Sequence, residues 1–214
     1  MIRAVIFDLD GTLVDSEELV LGAFQHVLNK HGQVYDVAAV KTHVGRLLEH
    51  TYMTLVPGHD PKKLADLHRD WQIDKKHLFK GFEGTDEFLE QLRKSGLKLG
   101  AYTSASRLRT DAMLDVTGLD KYLSVIVCGD EVTNPKPHQE GVERVAEVLQ
   151  VNLDEVVFVG DAEHDILSGK NAGVITVGIT HGFGTKESLT SAGADYMVNN
   201  LHELLVKLKE IGSK

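Results

Sequence analysis

Residues 4–13 constrain this chain most, because they place two acids directly after a short apolar run. Val5-Ile6-Phe7 is β-favouring and bounded by a turn signal, which is typical of a strand buried on both faces. Asp8 and Asp10 follow, and acids at a buried strand end cost free energy unless a cation compensates their charge. Divalent cations bind carboxylate oxygens, and parallel α/β sheets bind ligands beyond the carboxyl ends of their strands. The stretch therefore predicts a cation site, with a surface Asp-Gly turn as the alternative.

The spacing after these acids excludes an EF-hand loop. Counted from Asp8, the glycine position of such a loop holds Leu13, and its closing glutamate position holds Leu19. A site at this strand end must therefore take further ligands from elsewhere in the chain.

Bulk composition bounds the remaining classes. A chain of 214 residues can form one large domain or one domain with an insert. The net charge of −9 disfavours a duplex nucleic-acid binder, which needs a basic face. The single cysteine, Cys128, excludes an internal disulfide framework. With neither a signal-peptide pattern nor an apolar run of membrane length in the sequence, we expect a cytoplasmic protein.

Apolar periodicity divides the chain into two kinds of segment. Helical spacing follows the N-cap residue Ser16 and continues to Lys80, with one helix opening after Asp60-Pro61. Residues 81–84 are typical of a hinge. The pattern predicts a helical domain of residues 15–80, inserted into a domain formed by residues 1–14 and 81–214.

Beyond the hinge, predicted helices and strands alternate. The predicted helices are 85–95, 106–117, 139–149, 165–172 and 201–211, and the predicted strands are 97–102, 125–128, 156–159, 174–178 and 196–198. Such alternation predicts an α/β fold with a doubly wound parallel sheet.

Three further segments after strand ends carry candidate chemistry. Thr103 and Ser104 precede a helix, where hydroxyls and backbone N–H groups can bind an anion or merely cap the helix. Lys136 stands between two prolines that fix its backbone, so it can present a fixed charge to phosphate, although a solvated lysine is the common alternative. Asp161 and Asp165 follow a second buried strand and could share a cation with the first.

Together, these segments resemble the four motifs of the haloacid dehalogenase (HAD) superfamily. Residues 8–16 resemble motif I, Thr103 motif II, Lys136-Pro137 motif III, and the Gly-Asp-x-x-x-Asp pattern of Asp161 and Asp165 motif IV. All four occur in the family's order. The helical insert is similar to the C1 cap of the branch that contains phosphoglycolate phosphatases and β-phosphoglucomutases.

The resemblance implies a role for each motif residue. Asp8 is expected to be the nucleophile that forms an aspartyl-phosphate, and Asp10 the general acid and base. Thr103, Ser104 and Lys136 are expected to bind the phosphoryl oxygens.

The resemblance also implies a Mg²⁺ cofactor. Its expected ligands are Asp8, the backbone carbonyl of Asp10, and Asp161. Asp165 is expected to reach the metal through water or to hold Lys136. The cap is expected to close and exclude bulk water.

Differences within the family order the possible activities. Dehalogenases lack the second motif I aspartate, which is present here as Asp10, so a phosphatase is favoured. β-Phosphoglucomutases carry a cap histidine ten residues after the acid/base aspartate; Val20 holds that position, and the nearby His26 is in another register. A catalytically idle module is disfavoured because no motif residue is lost. The loop at residues 181–184 resembles a Gly-aromatic-Gly stretch that is common in phosphoglycolate phosphatases and related pyrophosphatases. Phosphoglycolate is therefore the first substrate to test, and inorganic pyrophosphate the second.

The cap and the partners complete these expectations. Arg46 stands where related caps carry a substrate-facing loop, and is expected to meet the distal anion of the substrate unless it is a solvated helix-start residue. The expected partner is a small phosphorylated metabolite, with neither nucleic acid nor membrane. Monomer and homodimer both remain open.

Overall fold

The protein is described by a computed structural model of residues 1–213, in which the chain divides into two compact units. Unit 1 comprises Met1–Asp15 and the chain from Lys80 onward, and unit 2 comprises Ser16–Phe79. The interpretation of unit 2 as a cap over an active site stays a prediction.

The strands all belong to unit 1. In chain order they are β1 (Ala4–Phe7), β2 (Val14–Asp15), β3 (Lys80–Gly81), β4 (Lys98–Tyr102), β5 (Val125–Val127), β6 (Val156–Gly160), β7 (Ile175–Ile179) and β8 (Tyr196–Val198). Six of them form one parallel sheet in the order β5-β4-β1-β6-β7-β8, which confirms the predicted doubly wound α/β fold. The short strands β2 and β3 pair antiparallel where the chain leaves unit 1 and returns to it. Lys80 therefore begins a strand, whereas the sequence pattern predicts it as the last residue of the helical segment.

The helices alternate with the strands of the parallel sheet and make up most of unit 2. In chain order they are α1 (Glu17–Lys30), α2 (Val37–Lys41), α3 (Leu48–Leu55), α4 (Pro61–Asp74), α5 (Thr85–Lys94), α6 (Arg107–Thr117), α7 (Glu140–Leu149), α8 (Glu163–Ala172), α9 (Lys186–Ser191) and α10 (Leu201–Gly212). Within residues 1–213, none of these helices has the length and apolar character needed to cross a lipid bilayer.

Unit 2 has its own small core. Phe24 on α1 packs against Tyr52 of α3 and His68 of α4, with ring centroids 5.8 Å and 4.6 Å away. The Tyr52 hydroxyl is 2.7 Å from Nδ1 of the buried His68. Helix α4 begins at its N-cap Asp60, whose side chain accepts hydrogen bonds from the backbone at the start of the helix.

The core of unit 1 contains two aromatic rings of the parallel sheet, that of Tyr102 at the end of β4 and that of Phe158 in β6. Val142 and Val145 of α7 pack on Ile6, Tyr102 and Phe158 of the sheet. All five side chains are buried, as expected for a parallel sheet covered by helices.

Strand register determines which residues meet at the carboxyl edge. Phe7 of β1 is level with Ala101 of β4 and Val159 of β6. The backbone N–H of Asp8 still donates to the Val159 carbonyl at 2.8 Å. The residues that follow β1, β4 and β6 therefore leave the sheet along one edge, as the sequence predicts for the motif residues.

Candidate active site

Asp8 lies at the carboxyl end of β1, in the centre of the sheet. Asp8 is only 5% exposed, and its Oδ1 accepts a hydrogen bond of 2.6 Å from Nζ of Lys136. Burial raises the pKa of Asp8 well above its ordinary value. Lys136 offsets this effect only in part, and the nearby Asp165 and Asp161 raise the pKa further. The ionised form of Asp8 therefore needs more compensating positive charge than Lys136 alone provides.

The Lys136 ammonium group is fixed between acids and aromatic rings. It donates to Asp8 and, at 2.7 Å, to Asp165 Oδ1, and its side chain is 1% exposed. The rings of Tyr102 and Phe158 lie beneath it, with centroids 4.8 Å and 5.3 Å from Nζ. Burial lowers the pKa of Lys136, but the adjacent Asp165 and Asp8 outweigh burial and raise it, so the lysine stays charged.

Helix α8 holds the loop that carries Lys136. Ser168 Oγ donates to the His138 carbonyl at 2.8 Å, and Asn171 Nδ2 donates to the Pro137 carbonyl at 3.0 Å. Asp165, in the first turn of the same helix, also accepts from the Ala162 backbone N–H at 3.0 Å through Oδ2. Both carboxylate oxygens of Asp165 thus have partners within the protein, one of which is Lys136.

Asp161 follows β6, beside β1, and is fixed by two donors. Thr12 Oγ1 donates to its Oδ1 at 3.1 Å, and the Phe183 backbone N–H donates to its Oδ2 at 2.7 Å. Gly11, at φ +79°, and Gly182 both pack so closely on this carboxylate that a Cβ atom at either position would overlap it. Burial, and then the charge of Asp165, raises the pKa of Asp161 to about 7.

Three of the buried acids form a group with the donors of a metal site. One carboxylate oxygen from each of Asp8, Asp161 and Asp165 lies within 4.8 Å of the others. These hard oxygen ligands suit a divalent cation such as Mg²⁺, and its charge would favour the ionised forms that burial disfavours in Asp8 and Asp161. The donor set therefore fits the predicted cofactor.

The carboxylate of Asp10 lies apart from that group and is held by an arginine. Arg109 Nη1 donates to Asp10 Oδ2 at 2.6 Å, and Arg109 Nη2 donates to Asp10 Oδ1 at 2.8 Å. The contribution of Asp10 to metal binding, expected from its backbone carbonyl, stays a prediction. Sequence reasoning missed Arg109, whose only signal is its place in the first turn of the helix after Thr103 and Ser104.

Thr103 and Ser104 follow β4 at the same edge of the sheet. Thr103 is buried, its backbone N–H donates to the Val127 carbonyl at 3.0 Å, and its Oγ1 accepts from Ala105 N–H at 3.1 Å. Ser104 is exposed. Both stand before the N-cap Ser106 of α6, where the sequence predicts phosphoryl binding.

Comparison with known proteins decides the family. Residues 5–179 match the model of the haloacid dehalogenase-like hydrolases. This chain belongs to that family. The match spans β1 to β7 and all the motif residues of the sequence prediction.

Relatives of the HAD chain carry the names of phosphate-handling enzymes. It is 31% identical over 215 residues to pyrophosphatase PpaX from Bacillus mycoides, covering 98% of both chains. A predicted phosphatase from Clostridium acetobutylicum has a similar structure, with a TM-score of 0.85, 28% identity, and coverage of 98% of this chain and 99% of that one. A candidate β-phosphoglucomutase from Thermotoga maritima has a TM-score of 0.79 and 29% identity, covering 98% of this chain and 100% of that one.

These comparisons confirm the predicted resemblance and enzyme class, an HAD-type phosphoric monoester hydrolase. The roles given to individual residues stay predictions. Arg46 lies in unit 2 between α2 and α3, with an exposed side chain, and its contact with a substrate stays a prediction as well.

Proposed function

We propose that this HAD hydrolase is a Mg²⁺-dependent phosphatase that acts on a small anionic phosphate compound through an aspartyl-phosphate at Asp8. The observation that carries the proposal is the contact of 2.6 Å between Asp8 Oδ1 and the buried Lys136 ammonium, beside the carboxylate of Asp161. This arrangement combines a fixed nucleophile, a fixed cation and a metal-binding carboxylate at one strand edge.

The proposed reaction has two steps. In the first, an Asp8 oxygen forms a bond to phosphorus, the bond from phosphorus to the leaving oxygen breaks, and Asp10 gives that oxygen a proton. In the second, Asp10 takes a proton from water, whose oxygen attacks phosphorus and releases phosphate and free Asp8. Lys136, Thr103 and Ser104 bind the phosphoryl oxygens during both steps.

The metal would be held by Asp8, the backbone carbonyl of Asp10, and Asp161. When bound, Mg²⁺ supplies positive charge that lowers the repulsion between the phosphoryl oxygens and the carboxylates. Asp161 is already oriented for this role by Thr12 and Phe183. Asp165 orients Lys136 from the opposite side.

Two anionic compounds are the leading substrates. The name of the PpaX relatives favours inorganic pyrophosphate, and the sequence resemblance favours phosphoglycolate. A β-phosphoglucomutase-type phosphotransferase is the alternative, supported by the Thermotoga maritima neighbour. Val20, a buried residue of α1, cannot move a proton as the mutases' cap histidine can, so hydrolysis is favoured.

The remaining expectations are part of the same proposal. The partner is a small phosphorylated metabolite, without nucleic acid or membrane, and the enzyme acts in the cytoplasm as a monomer or homodimer. The net charge of −9 supports a small ligand over a nucleic acid.

Phosphate release tests the proposal. Purified protein is given pyrophosphate, phosphoglycolate or β-glucose 1-phosphate, with MgCl₂ or with excess EDTA. We expect phosphate from at least one of the first two compounds with Mg²⁺ and almost none with EDTA. Full activity in EDTA would contradict the metal role, and conversion of β-glucose 1-phosphate to glucose 6-phosphate with little free phosphate would establish the mutase instead.

A further inference from the structure

We infer that Arg109 is the residue of unit 1 that recognises an anionic leaving group, and so selects pyrophosphate-like and carboxylate-bearing substrates. The inference rests on the proposed function, in which Asp10 serves the leaving oxygen. It is carried by the two-point ion pair between the Arg109 guanidinium and the Asp10 carboxylate.

The position of Arg109 is fixed from two sides. Its backbone N–H donates to the N-cap Ser106 Oγ at 3.4 Å, in the first turn of α6. Its side chain is 12% exposed, and that of Asp10 is 20% exposed. A largely buried arginine with both terminal nitrogens engaged loses little further side-chain freedom when a ligand binds.

The chemistry of Asp10 determines what the guanidinium faces. Asp10 passes its proton to the leaving oxygen, so the leaving group must come within hydrogen-bond distance of this carboxylate. The two terminal nitrogens of Arg109 lie within 2.8 Å of the same carboxylate oxygens. They therefore border the volume that a leaving group bound at Asp10 would occupy.

A guanidinium at this place distinguishes leaving groups by charge. A guanidinium has five N–H donors in one plane, of which the contacts to Asp10 use two, and its charge and geometry suit a carboxylate or a phosphate. The leaving group is a phosphate ion for pyrophosphate and a carboxylate-bearing glycolate for phosphoglycolate, whereas a simple alcohol offers no anion. Lys136 serves the transferred phosphoryl group instead, because its ammonium lies beside Asp8 and not at Asp10.

The test compares two esters that differ only in the charge of the leaving group. Phosphoglycolate carries a carboxylate, and 2-hydroxyethyl phosphate carries a neutral hydroxymethyl group in its place; pyrophosphate provides a second anionic substrate. For each enzyme, the ratio of kcat/KM for the anionic compound to that for 2-hydroxyethyl phosphate is measured with Mg²⁺. This ratio is independent of the fraction of correctly folded enzyme.

Arg109→Gln should lower that ratio about tenfold or more, the scale of one lost charged hydrogen bond. Arg107→Gln is the matched control, since Arg107 lies in the same helical turn but its guanidinium binds Glu131 and the Ile126 carbonyl. The control should keep the wild-type ratio. In the inert Asp8→Asn background, Arg109→Gln should likewise weaken the binding of pyrophosphate more than that of 2-hydroxyethyl phosphate.

Each other outcome has a distinct meaning. An equal loss on all compounds in Arg109→Gln would overturn the inference, because Arg109 would then only position Asp10. A similar change of ratio in Arg107→Gln would also overturn it, since general loss of charge would explain the effect. Failure of the wild type to release phosphate from any of these compounds would instead overturn the proposed function on which the inference rests.

Discussion

At the residue scale, Asp161 shows the free-energy cost of burying a carboxylate close to another acid. Its carboxylate is buried near Asp165, which is why its pKa is raised to about 7. The unfolded chain has an aspartate pKa of about 3.9, so folding favours the protonated form of this side chain. The corresponding stability is fully present below about pH 4 and is lost as pH rises through about 7.

Replacing Asp161 by asparagine should therefore help the metal-free protein most at high pH. The amide keeps the shape, since its oxygen can accept from Phe183 N–H and its nitrogen can donate to Thr12 Oγ1. In EDTA, we expect the Tm of Asp161→Asn minus that of the wild type to increase between pH 5 and pH 8, measured by thermal denaturation. The comparison with the wild type cancels the titration of groups that are distant from Asp161.

Magnesium provides the complementary measurement at the same residue. At pH 7.5, MgCl₂ should raise the Tm of the wild type by binding its folded state, and raise that of Asp161→Asn much less. An equal effect of Mg²⁺ on both proteins would argue against a metal site at Asp161. A Tm difference in EDTA that does not vary with pH would contradict the raised pKa of Asp161.

At the scale of elements, the loop between β7 and α9 connects Asp161 to the segment between β1 and β2. Its Phe183 N–H binds Asp161, and its His181 Nε2 donates to the Thr12 carbonyl at 3.0 Å. The His181 ring also stacks on Phe82, with centroids 3.8 Å apart. Burial lowers the pKa of His181, which favours the neutral form of the ring. A change in this loop should therefore disturb the active site directly.

Gly182→Ala should reduce kcat/KM by about a hundredfold, the scale expected when catalytic groups move by about 1 Å. Its Cβ would overlap Asp161 Oδ2 and the Gly11 carbonyl. Gly212→Ala is the control, since the nearest side-chain atom to its Cβ, on Ile2, is at an ordinary 3.4 Å. Steady-state kinetics on the best substrate would check both; wild-type activity in Gly182→Ala would show that the loop yields without moving Asp161.

Elements with strong periodicity could be predicted from sequence, and those without it could not. The strands of the parallel sheet lie within one or two residues of their predicted bounds, because continuous buried runs are distinct from amphipathic helices. The two-residue strands β2 and β3 are too short to show a period. Helices α2 and α9 are short as well, and only their N-caps Asp36 and Thr185 indicate them.

The site followed the same rule. The proximity of Asp8, Asp161 and Lys136 could be predicted from the sequence, because parallel strands end along one edge of the sheet and the family motifs occur in order. The Arg109–Asp10 pair and the Phe183 N–H contact depend on side-chain and loop conformations that no spacing encodes. Sequence thus predicts which strand ends meet, and the structure is needed to see which side chains fill the space between them.

At the scale of the whole molecule, the chain joins a complete set of proposed catalytic groups in one of its two compact units. Asp8, Asp10, Lys136 and Asp161 all belong to unit 1, although they are separated by more than 150 positions at the extremes. The helical unit 2 interrupts the chain after Asp15, where β2 ends. The proposed function therefore predicts that Asp8, in unit 1, becomes phosphorylated during turnover.

Trapping of the phosphorylated enzyme tests this claim most directly. The protein is mixed with Mg²⁺ and ³²P-labelled pyrophosphate or phosphoglycolate, quenched with acid within milliseconds, reduced with borohydride and digested. Fragmentation of the peptide that contains residues 4–30 distinguishes Asp8 from Asp10. Asp8→Asn, verified as folded and free of deamidation, is the control, since it keeps the side chain's shape but lacks the nucleophilic carboxylate.

We expect transient, hydroxylamine-sensitive label on the wild type, homoserine at position 8 after reduction, and neither label nor turnover in Asp8→Asn. Steady turnover with no labelled protein, label on another residue, or wild-type turnover in verified Asp8→Asn would contradict the account.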